Sequence, residues 1–258
     1  MSGIAHVGTS GFAYPGWAPR FYPAGIRPAD LLSAYAARLT ACELNNTYYQ
    51  QPTEAKVAAW LAATPASFRF AVKAQRGGSY RSLLVDPTAG VPWLTAPLRR
   101  FGDRLGTVLF RVPDRTTRDD EKLAALLAAW PRDLPLTVEF QDPSWHVDEV
   151  FAMLRDADAA LCTTELPDDP DPPTIRRTGR FLYSAFAVTT TGRQSSRRGP
   201  RGSNRSSRTG STPSSSSATT RSGAVASLRW SSQNSWAGSS SRATPRPARR
   251  RRGASGPR

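Results

Sequence analysis

Acidic residues are missing from the last part of this chain. No Asp or Glu occurs from Ser184 to Arg258, and Lys is also absent there, whereas the segment contains fifteen Arg. Residues 1–183 contain twenty basic and twenty acidic side chains, so the net charge of +15 arises from residues 184–258 alone. These residues are rich in Ser, Thr and Gly and poor in apolar side chains, so burial cannot offset the entropy that folding removes. We therefore expect a folded unit at 1–183 and a disordered, low-complexity basic tail at 184–258.

Cysteine and histidine are scarce, with two residues of each. Cys42 and Cys162 lie inside apolar, strand-like runs, so we interpret them as buried thiols of a reducing compartment rather than as a disulfide. His6 and His146 lack the spacing of metal ligands, and we predict no metal site. The sequence has no Walker loop, no GxGxxG segment and no Ser/His/Asp arrangement, so it predicts no cofactor and no serine nucleophile.

Long apolar runs are also absent. No run approaches the roughly 20 residues that a membrane-spanning helix needs. The first residues, Met1-Ser2-Gly3, do not begin a secretory signal, which has a basic start followed by an apolar stretch. We expect a cytoplasmic protein without membrane contacts.

Within residues 1–183, short apolar runs alternate with stretches of helical spacing. The predicted strands are Ile4–Val7, Cys42–Leu44, Phe68–Val72, Thr107–Val112, Leu136–Phe140, Ala159–Thr163 and Phe181–Tyr183. The predicted helices are Pro28–Leu39, Thr53–Ala63, Asp119–Trp130 and Asp148–Ala157. Strands this apolar favour a parallel sheet covered by helices. Seven of them favour a TIM-type (β/α) barrel, which usually has eight strands and about 250 residues, so we expect an incomplete barrel.

Polar and aromatic residues follow several predicted strands, at the end where such a barrel places its active site. The five segments are Gly8-Thr9-Ser10-Gly11-Phe12, Glu43-Leu44-Asn45-Asn46-Thr47-Tyr48-Tyr49, Phe68-Arg69-Phe70-Ala71-Val72-Lys73, Phe110-Arg111-Val112-Pro113 and Glu139-Phe140-Gln141-Asp142-Pro143-Ser144-Trp145. In order and spacing, the set resembles the DUF72 family, also called YecE-like proteins, over roughly residues 4–183. The resemblance implies a TIM-barrel-type fold but no particular reaction, because the activity of the family is not established. The chain departs from the family pattern at Phe12, where Trp is usual, and at Gln141-Asp142, where an Arg-His pair is common.

Glu43 and Glu139 form the predicted catalytic pair. Placed across a barrel mouth, two carboxylates can share acid/base work or hold a cation. The alternative is a buried carboxylate bonded to a neighbouring Lys or Arg. Lys73 is the third predicted catalytic residue, and a lysine at the end of so apolar a strand needs an anionic partner in either case.

The predicted substrate-binding residues are polar or aromatic side chains of the same strand ends. They are Ser10, Asn45, Tyr49, Arg111 and Trp145. For Ser10 and Asn45 the alternative is a turn-forming role. For Tyr49 and Trp145 the alternative is packing of the loops over the rim of the barrel.

These residues predict an acid/base enzyme, a hydrolase or an isomerase, that acts on a polar, anionic or sugar-like substrate. The alternative function is a nucleic-acid-binding or repair-associated protein. Because residues 1–183 carry no net charge, we expect nonspecific contacts with nucleic acid to come from the tail only. A third alternative is a degraded gene product without function.

The abrupt change of composition near Ser184 favours a shifted reading frame. Residues 214–220 can be encoded so that the adjacent frame reads Val-Val-Phe-Phe-Arg-His-Asp, a sequence that suits an eighth strand. The alternatives are a genuine arm that binds nucleic acid, with Arg246–Arg252 as its strongest element, and a linker without function. An open barrel exposes two strand edges, so we expect this copy to be impaired and to be unstable or prone to aggregation.

Overall fold

The fold is known from a computed structural model that describes residues 3–166, 172–187 and 224–230, with the backbone alone at 187 and 224–230. These residues contain one eight-stranded sheet with the neighbour order β1-β8-β7-β6-β5-β4-β3-β2. Its strands are β1 (Ile4–Thr9), β2 (Ala41–Leu44), β3 (Arg69–Lys73), β4 (Leu105–Arg111), β5 (Leu136–Glu139), β6 (Ala160–Thr164), β7 (Phe181–Ala187) and β8 (Ala224–Trp230). The seven strands predicted from the sequence correspond to β1–β7.

Six α-helices lie between the strands in the described residues. They are α1 (Leu31–Ala36), α2 (Glu54–Ala62), α3 (Arg76–Leu84), α4 (Pro87–Thr95), α5 (Asp120–Ala129) and α6 (Asp148–Asp156). Helices α2 and α5 begin where the sequence predicts, because Thr53 and Asp119 each accept a hydrogen bond from a first-turn backbone N–H. None of the helices in the described ranges is long and apolar enough to cross a membrane.

The sequence did not predict α3 and α4. Helix α3 contains Gly77 and Gly78 and α4 contains Pro92, residues that weaken an isolated helix. The two helices pack closely, and a Cβ added to Gly90 of α4 would lie 2.7 Å from Oγ of Ser82 in α3. Tertiary packing therefore overrides the low helical propensity of these residues.

Strands β2–β7 are all parallel, as the continuous apolar runs predict. Side chains alternate between the two faces of each strand, so each strand contributes to two cores. The larger core lies between the sheet and the helices and includes Phe70, Phe110 and Leu161. The smaller core lines the concave face and consists of Ala41, Ala71, Leu109, Ala160, Cys162, Phe181 and Tyr183. The curled parallel sheet and its covering helices form an incomplete TIM-type barrel.

Strands β1 and β2 meet at a narrow seam. Their pairing is limited to one parallel bridge, between Ser10 and Glu43. The seam needs a glycine, because a Cβ at Gly8 would lie 2.0 Å from the carbonyl oxygen of Ala41. This close approach brings the loop after β1 over the end of β2.

Strand β8 fills the space between β1 and β7 but runs antiparallel to both. Trp230 pairs with Ile4 and with Phe181, while Ala224 pairs with Ala187. A closed TIM barrel has a parallel strand at this position. The sequence analysis predicted no strand here, because it assigned these residues to the basic tail. The rest of that tail beyond β7, residues 188–223 and 231–258, lies outside the described residues.

Candidate functional site

The predicted site residues converge where the parallel strands end, here called the carboxyl edge. Lys73 ends β3 two positions after Ala71, and Arg111 ends β4 two positions after Leu109. Because Ala71 and Leu109 line the concave face, the two cations are on the same face. Arg111 is directly paired with Glu139 of β5 in the strand register. The fold thus brings charged groups from three neighbouring strands together.

Glu139 lies between the two cations. Its Oε2 is 3.5 Å from Nζ of Lys73, and its Oε1 is 3.7 Å from a terminal nitrogen of Arg111. Gln141 donates a hydrogen bond of 2.9 Å to the same Oε1. The residue is only 7% exposed, so this carboxylate is the buried partner of a Lys and an Arg that the sequence analysis gave as an alternative.

Glu43 has a different environment, made of hydroxyl groups. Ser10 donates a hydrogen bond of 2.7 Å to its Oε1, and the phenol of Tyr183 donates to its Oε2. Asn45 in turn donates its amide hydrogen to Oγ of Ser10. Glu43 is 3% exposed and none of its described contacts is an ion pair. The structure therefore joins Ser10, Glu43 and Asn45 in one hydrogen-bonded chain.

Both carboxylates raise the pKa values of two buried groups on the concave face, the phenol of Tyr183 and the thiol of Cys162. Burial, and then the nearby Glu43, raise the pKa of Tyr183 well above its ordinary value, with a smaller contribution from Glu139. Burial also raises the pKa of the Cys162 thiol, followed by Glu139 and Glu43, while Lys73 and Arg111 oppose the shift. The phenol and the thiol therefore hold their protons at neutral pH. We call Ser10, Glu43, Asn45, Lys73, Arg111, Glu139 and Tyr183 the edge cluster.

Lys73 is anchored through its backbone and its ammonium group. The hydroxyl of Thr47 donates a hydrogen bond of 2.7 Å to its carbonyl oxygen. Its Nζ lies 5.5 Å from the ring centroid of Tyr48, within the range of a cation–π interaction. Arg111 is held on its outer side by Asp114, at 2.9 Å. In Arg111, burial lowers the pKa, but Glu139 and then Asp114 raise it more.

The two predicted aromatic contacts are outside this set of hydrogen bonds. Tyr49 is 78% exposed and its ring packs on Tyr48, whose ring in turn contacts Lys73. Trp145 is fully buried, stacks on Phe140 and donates its indole hydrogen to the carbonyl oxygen of Thr116. The described contacts of Trp145 are those of a core residue, so its role in substrate binding stays a prediction.

Two residues that contact the carboxylates of the site were not predicted from the sequence. They are Tyr183, which bonds to Glu43, and Gln141, which bonds to Glu139. Gln141 could have been predicted, because it lies only two positions after Glu139 and follows the same strand. Tyr183 gave no comparable signal, because it sits inside an apolar strand and meets Glu43 only through the curvature of the sheet.

A cavity of about 160 Å³ lies away from the edge cluster. Its lining includes Trp130 and Leu136 and none of the edge cluster. In the described ranges, no group of three or more His, Cys, Asp or Glu is placed to hold a metal ion.

Comparison with known proteins adds a family and a fold. A family model described as "Protein of unknown function DUF72" matches residues 6–246. The chain is similar to the crystal structure of a DUF72 family protein from Thermotoga maritima MSB8, with 27% identity and a TM-score of 0.59, over 71% of this chain and 74% of that one. No functionally curated protein matches the chain.

Two crystal structures of a DUF72 family protein from Enterococcus faecalis V583 are also similar. One has 22% identity and a TM-score of 0.53, over 67% of this chain and 66% of that one. The other has 24% identity and a TM-score of 0.48, over 58% of this chain and 65% of that one. The chain thus spans slightly less than two thirds of the Enterococcus protein.

Proposed function

The chain belongs to the DUF72 family, whose function is unknown, and from this premise we propose that the edge cluster is the site of an acid/base enzyme. The observation that carries the proposal is the unlike environment of two buried carboxylates on one concave face. Glu139 contacts two cations, whereas the described contacts of Glu43 are with hydroxyl groups and backbone. Carboxylates in unlike surroundings can take different roles in proton transfer.

In this proposal, Glu43 exchanges the proton with the substrate. Ser10 and Tyr183 hold its two oxygens in place, which is the kind of orientation that a general base needs. Lys73 and Arg111 supply positive charge for an anionic or strongly polar part of the substrate. A proton that Glu43 takes from one substrate atom and returns to a neighbouring atom gives an isomerisation. A proton taken from an attacking water gives a hydrolysis.

The test measures conversion of defined polar compounds by the full chain. Ribose 5-phosphate, glucose 6-phosphate and their unphosphorylated sugars are incubated with the protein and followed by ¹H and ³¹P NMR. We expect Glu43→Gln to lower the rate of any conversion by a factor of about 10² or more, the usual range for losing a general acid or base. Glu54→Gln is the matched control, because Glu54 is an exposed carboxylate of α2 with one ion pair to Arg100. Unchanged conversion in both Glu43→Gln and Glu139→Gln would refute the proposal.

The alternative function has one observation in its favour, the concentration of Arg after Ser184. Residues 184–258 contain these fifteen Arg and no acidic residue, whereas residues 1–183 contain equal numbers of basic and acidic residues. We propose that any contact with nucleic acid is made by the tail through phosphate groups, without sequence preference. A cytoplasmic location is part of the proposal as well, and the free, buried thiols of Cys42 and Cys162 support it.

A further inference from the structure

We propose that Glu139 occupies the position of a substrate oxyanion between Lys73 and Arg111, and that a carboxylate or phosphate group binds there by displacing it. This inference rests on the proposed function, because it assumes that the edge cluster is the ligand site. It narrows the substrate class from polar compounds in general to compounds that carry an oxyanion. It also gives Glu139 a role distinct from that of Glu43.

The first argument is that the two ion pairs of Glu139 are long. Charge-assisted hydrogen bonds between a cationic nitrogen and a carboxylate are usually about 2.7–2.9 Å. Glu139 lies 3.5 Å from Lys73 and 3.7 Å from Arg111. Arg111 makes its one close ion pair with Asp114, on the other side, at 2.9 Å. The resident carboxylate is therefore near both cations but is not closely bonded to either.

The second argument is that polar atoms on both sides of this contact lack hydrogen bonds. Oε2 of Glu139 and Nε of Arg111 are buried, and neither bonds to any described group. A buried donor without an acceptor is unfavourable, so an arrangement that supplies an acceptor for Nε of Arg111 is favoured. An oxyanion with several lone pairs can accept from both Lys73 and Arg111. Its arrival leaves Glu139 with its existing partner, the amide of Gln141.

The third argument is access. The side chain of Arg111 is 27% exposed, compared with 13% for Lys73 and 10% for Glu139. The cationic end of the cluster is thus the part that solvent reaches. An incoming anion meets Arg111 first and then competes with Glu139 for Lys73, because two anions cannot share the same pair of cations at low energetic cost.

If Glu139 competes with the ligand for the two cations, removing its charge should raise the affinity for an added anion. Removing an ordinary binding residue would lower that affinity. Neutralising Glu139 leaves Lys73 without its described ion pair and Arg111 with Asp114 alone, so affinity for an added oxyanion rises. Neutralising Glu43 removes the same charge from the same concave face but frees no cation. Comparing the anion affinity of Glu139→Gln with that of Glu43→Gln therefore distinguishes displacement of Glu139 from a general effect of net charge.

The experiment measures binding of inorganic phosphate and, separately, of acetate to the full chain by isothermal titration calorimetry. We expect Glu139→Gln to lower the Kd for at least one of the two anions by about tenfold or more, and Glu43→Gln to change it by less than about threefold. Adding Lys73→Gln to Glu139→Gln should return the affinity to that of the unaltered chain or below. If only phosphate binds more tightly, the ligand group is a phosphate. If both anions bind more tightly, the site accepts a carboxylate as well as a phosphate.

Two results would overturn the inference. One is a Glu139→Gln variant that binds both anions no better than the unaltered chain, and the other is an equal gain in Glu43→Gln. A second readout avoids dependence on the folding of Glu139→Gln. Glutamate labelled with ¹³C at the side-chain carboxyl is introduced into the unaltered chain and observed by ¹³C NMR. The resonance of Glu139 is assigned as the one that is missing from the spectrum of Glu139→Asp. Adding phosphate to the unaltered chain should shift this resonance. Failure here, together with conversion of a neutral sugar in the previous test, would reject the oxyanion and leave the acid/base site standing.

Discussion

The phenol of Tyr183 donates a hydrogen bond to Oε2 of Glu43, although 140 positions of the chain separate the two residues. Glu43 belongs to β2 and Tyr183 to β7, the two outermost strands of the parallel part of the sheet. The bond spans the concave face and links these strands directly. It also makes the position of a predicted catalytic carboxylate dependent on the last parallel strand of the sheet.

Tyr183→Phe removes this bond and nothing else from the concave face. We expect the free energy of unfolding to fall by about 1–3 kcal/mol, because a buried carboxylate oxygen loses its donor. Urea unfolding followed by circular dichroism measures the change. Tyr80→Phe is the control, since Tyr80 is 54% exposed. Equal stability of the two variants would show that the bond contributes nothing.

Alkaline pH should destabilise the protein through its buried phenols and thiols. The pKa values of Tyr183 and Cys162 are raised from ordinary values of 10.0 and 9.0, and burial is the main cause of both shifts. Burial also raises the pKa of Tyr22 to about 12. A group whose pKa is raised by folding contributes its full stabilisation below its ordinary pKa and loses it as the pH rises toward the folded value.

The contribution of these groups to the free energy of unfolding should therefore be constant below about pH 9 and should decrease steadily above it. Urea unfolding at a series of alkaline pH values measures this slope. In Tyr183→Phe the decrease should be shallower than in the Tyr80→Phe control. An identical slope in the two variants would mean that Tyr183 does not hold its proton in the folded chain as described.

Strand β8 gives a third prediction. Ala226 pairs with Gly8 on one side and with Ala185 on the other, so its backbone lies inside the sheet. Ala226→Pro removes a backbone donor from this ladder and should lower the free energy of unfolding by about 1 kcal/mol or more. Ala226→Ser, which keeps the backbone N–H, should change it by less than about 0.5 kcal/mol. Equal effects would mean that β8 does not contribute to the stability of the barrel.

The tail can be tested separately from the edge cluster. We expect the full chain to bind a short DNA duplex with an affinity that falls steeply with salt. Replacing Arg249, Arg250, Arg251 and Arg252 together by Ser should weaken binding and reduce the slope of log K against log salt by about 3–4. Glu43→Gln should leave both quantities unchanged. Loss of DNA binding in Glu43→Gln, with the tail intact, would place the contact at the edge cluster instead.

The reading frame can be checked directly in DNA. We expect resequencing of the gene across the codons for residues 178–225 to reveal an insertion or deletion near the codon for Ser184. The corrected frame should encode an apolar eighth strand in place of residues 214–220. An unbroken frame would make the Arg-rich tail genuine, and its binding to nucleic acid would then become the principal function to test.

The parallel strands could be predicted because each is a short apolar run between polar segments. The predicted Leu136–Phe140, for example, differs from the observed Leu136–Glu139 by one residue. Helices with a capping side chain, such as α5 after Asp119, were equally readable. Helix α3 was not predicted, since Gly77 and Gly78 suggest a loop, whereas packing against α4 and a cap by the Gln75 side chain stabilise the helix. The antiparallel β8 was missed because its Ser- and Arg-rich surroundings lack the pattern of a strand.

Members of the edge cluster could be predicted from the sequence where a charged residue occurs in an otherwise apolar strand. Glu43, Lys73 and Glu139 stand out in this way, and the structure brings Lys73 and Glu139 into contact. Which carboxylate pairs with the cations was not readable, because it depends on strand register: Arg111 lies beside Glu139, while Glu43 lies beside Ala71. Tyr183 was out of reach for a similar reason, as only the curvature of the sheet brings β7 close to β2.

The reversed direction of β8 has a consequence for the approach to the site. Ala187 and Ala224, which bound residues 188–223, are paired at the carboxyl edge, so this connection starts and finishes beside the mouth of the barrel. Residues 188–223 contain seven Arg and no acidic residue. Both attachment points of this positively charged segment are therefore at the edge where Lys73 and Arg111 end their strands.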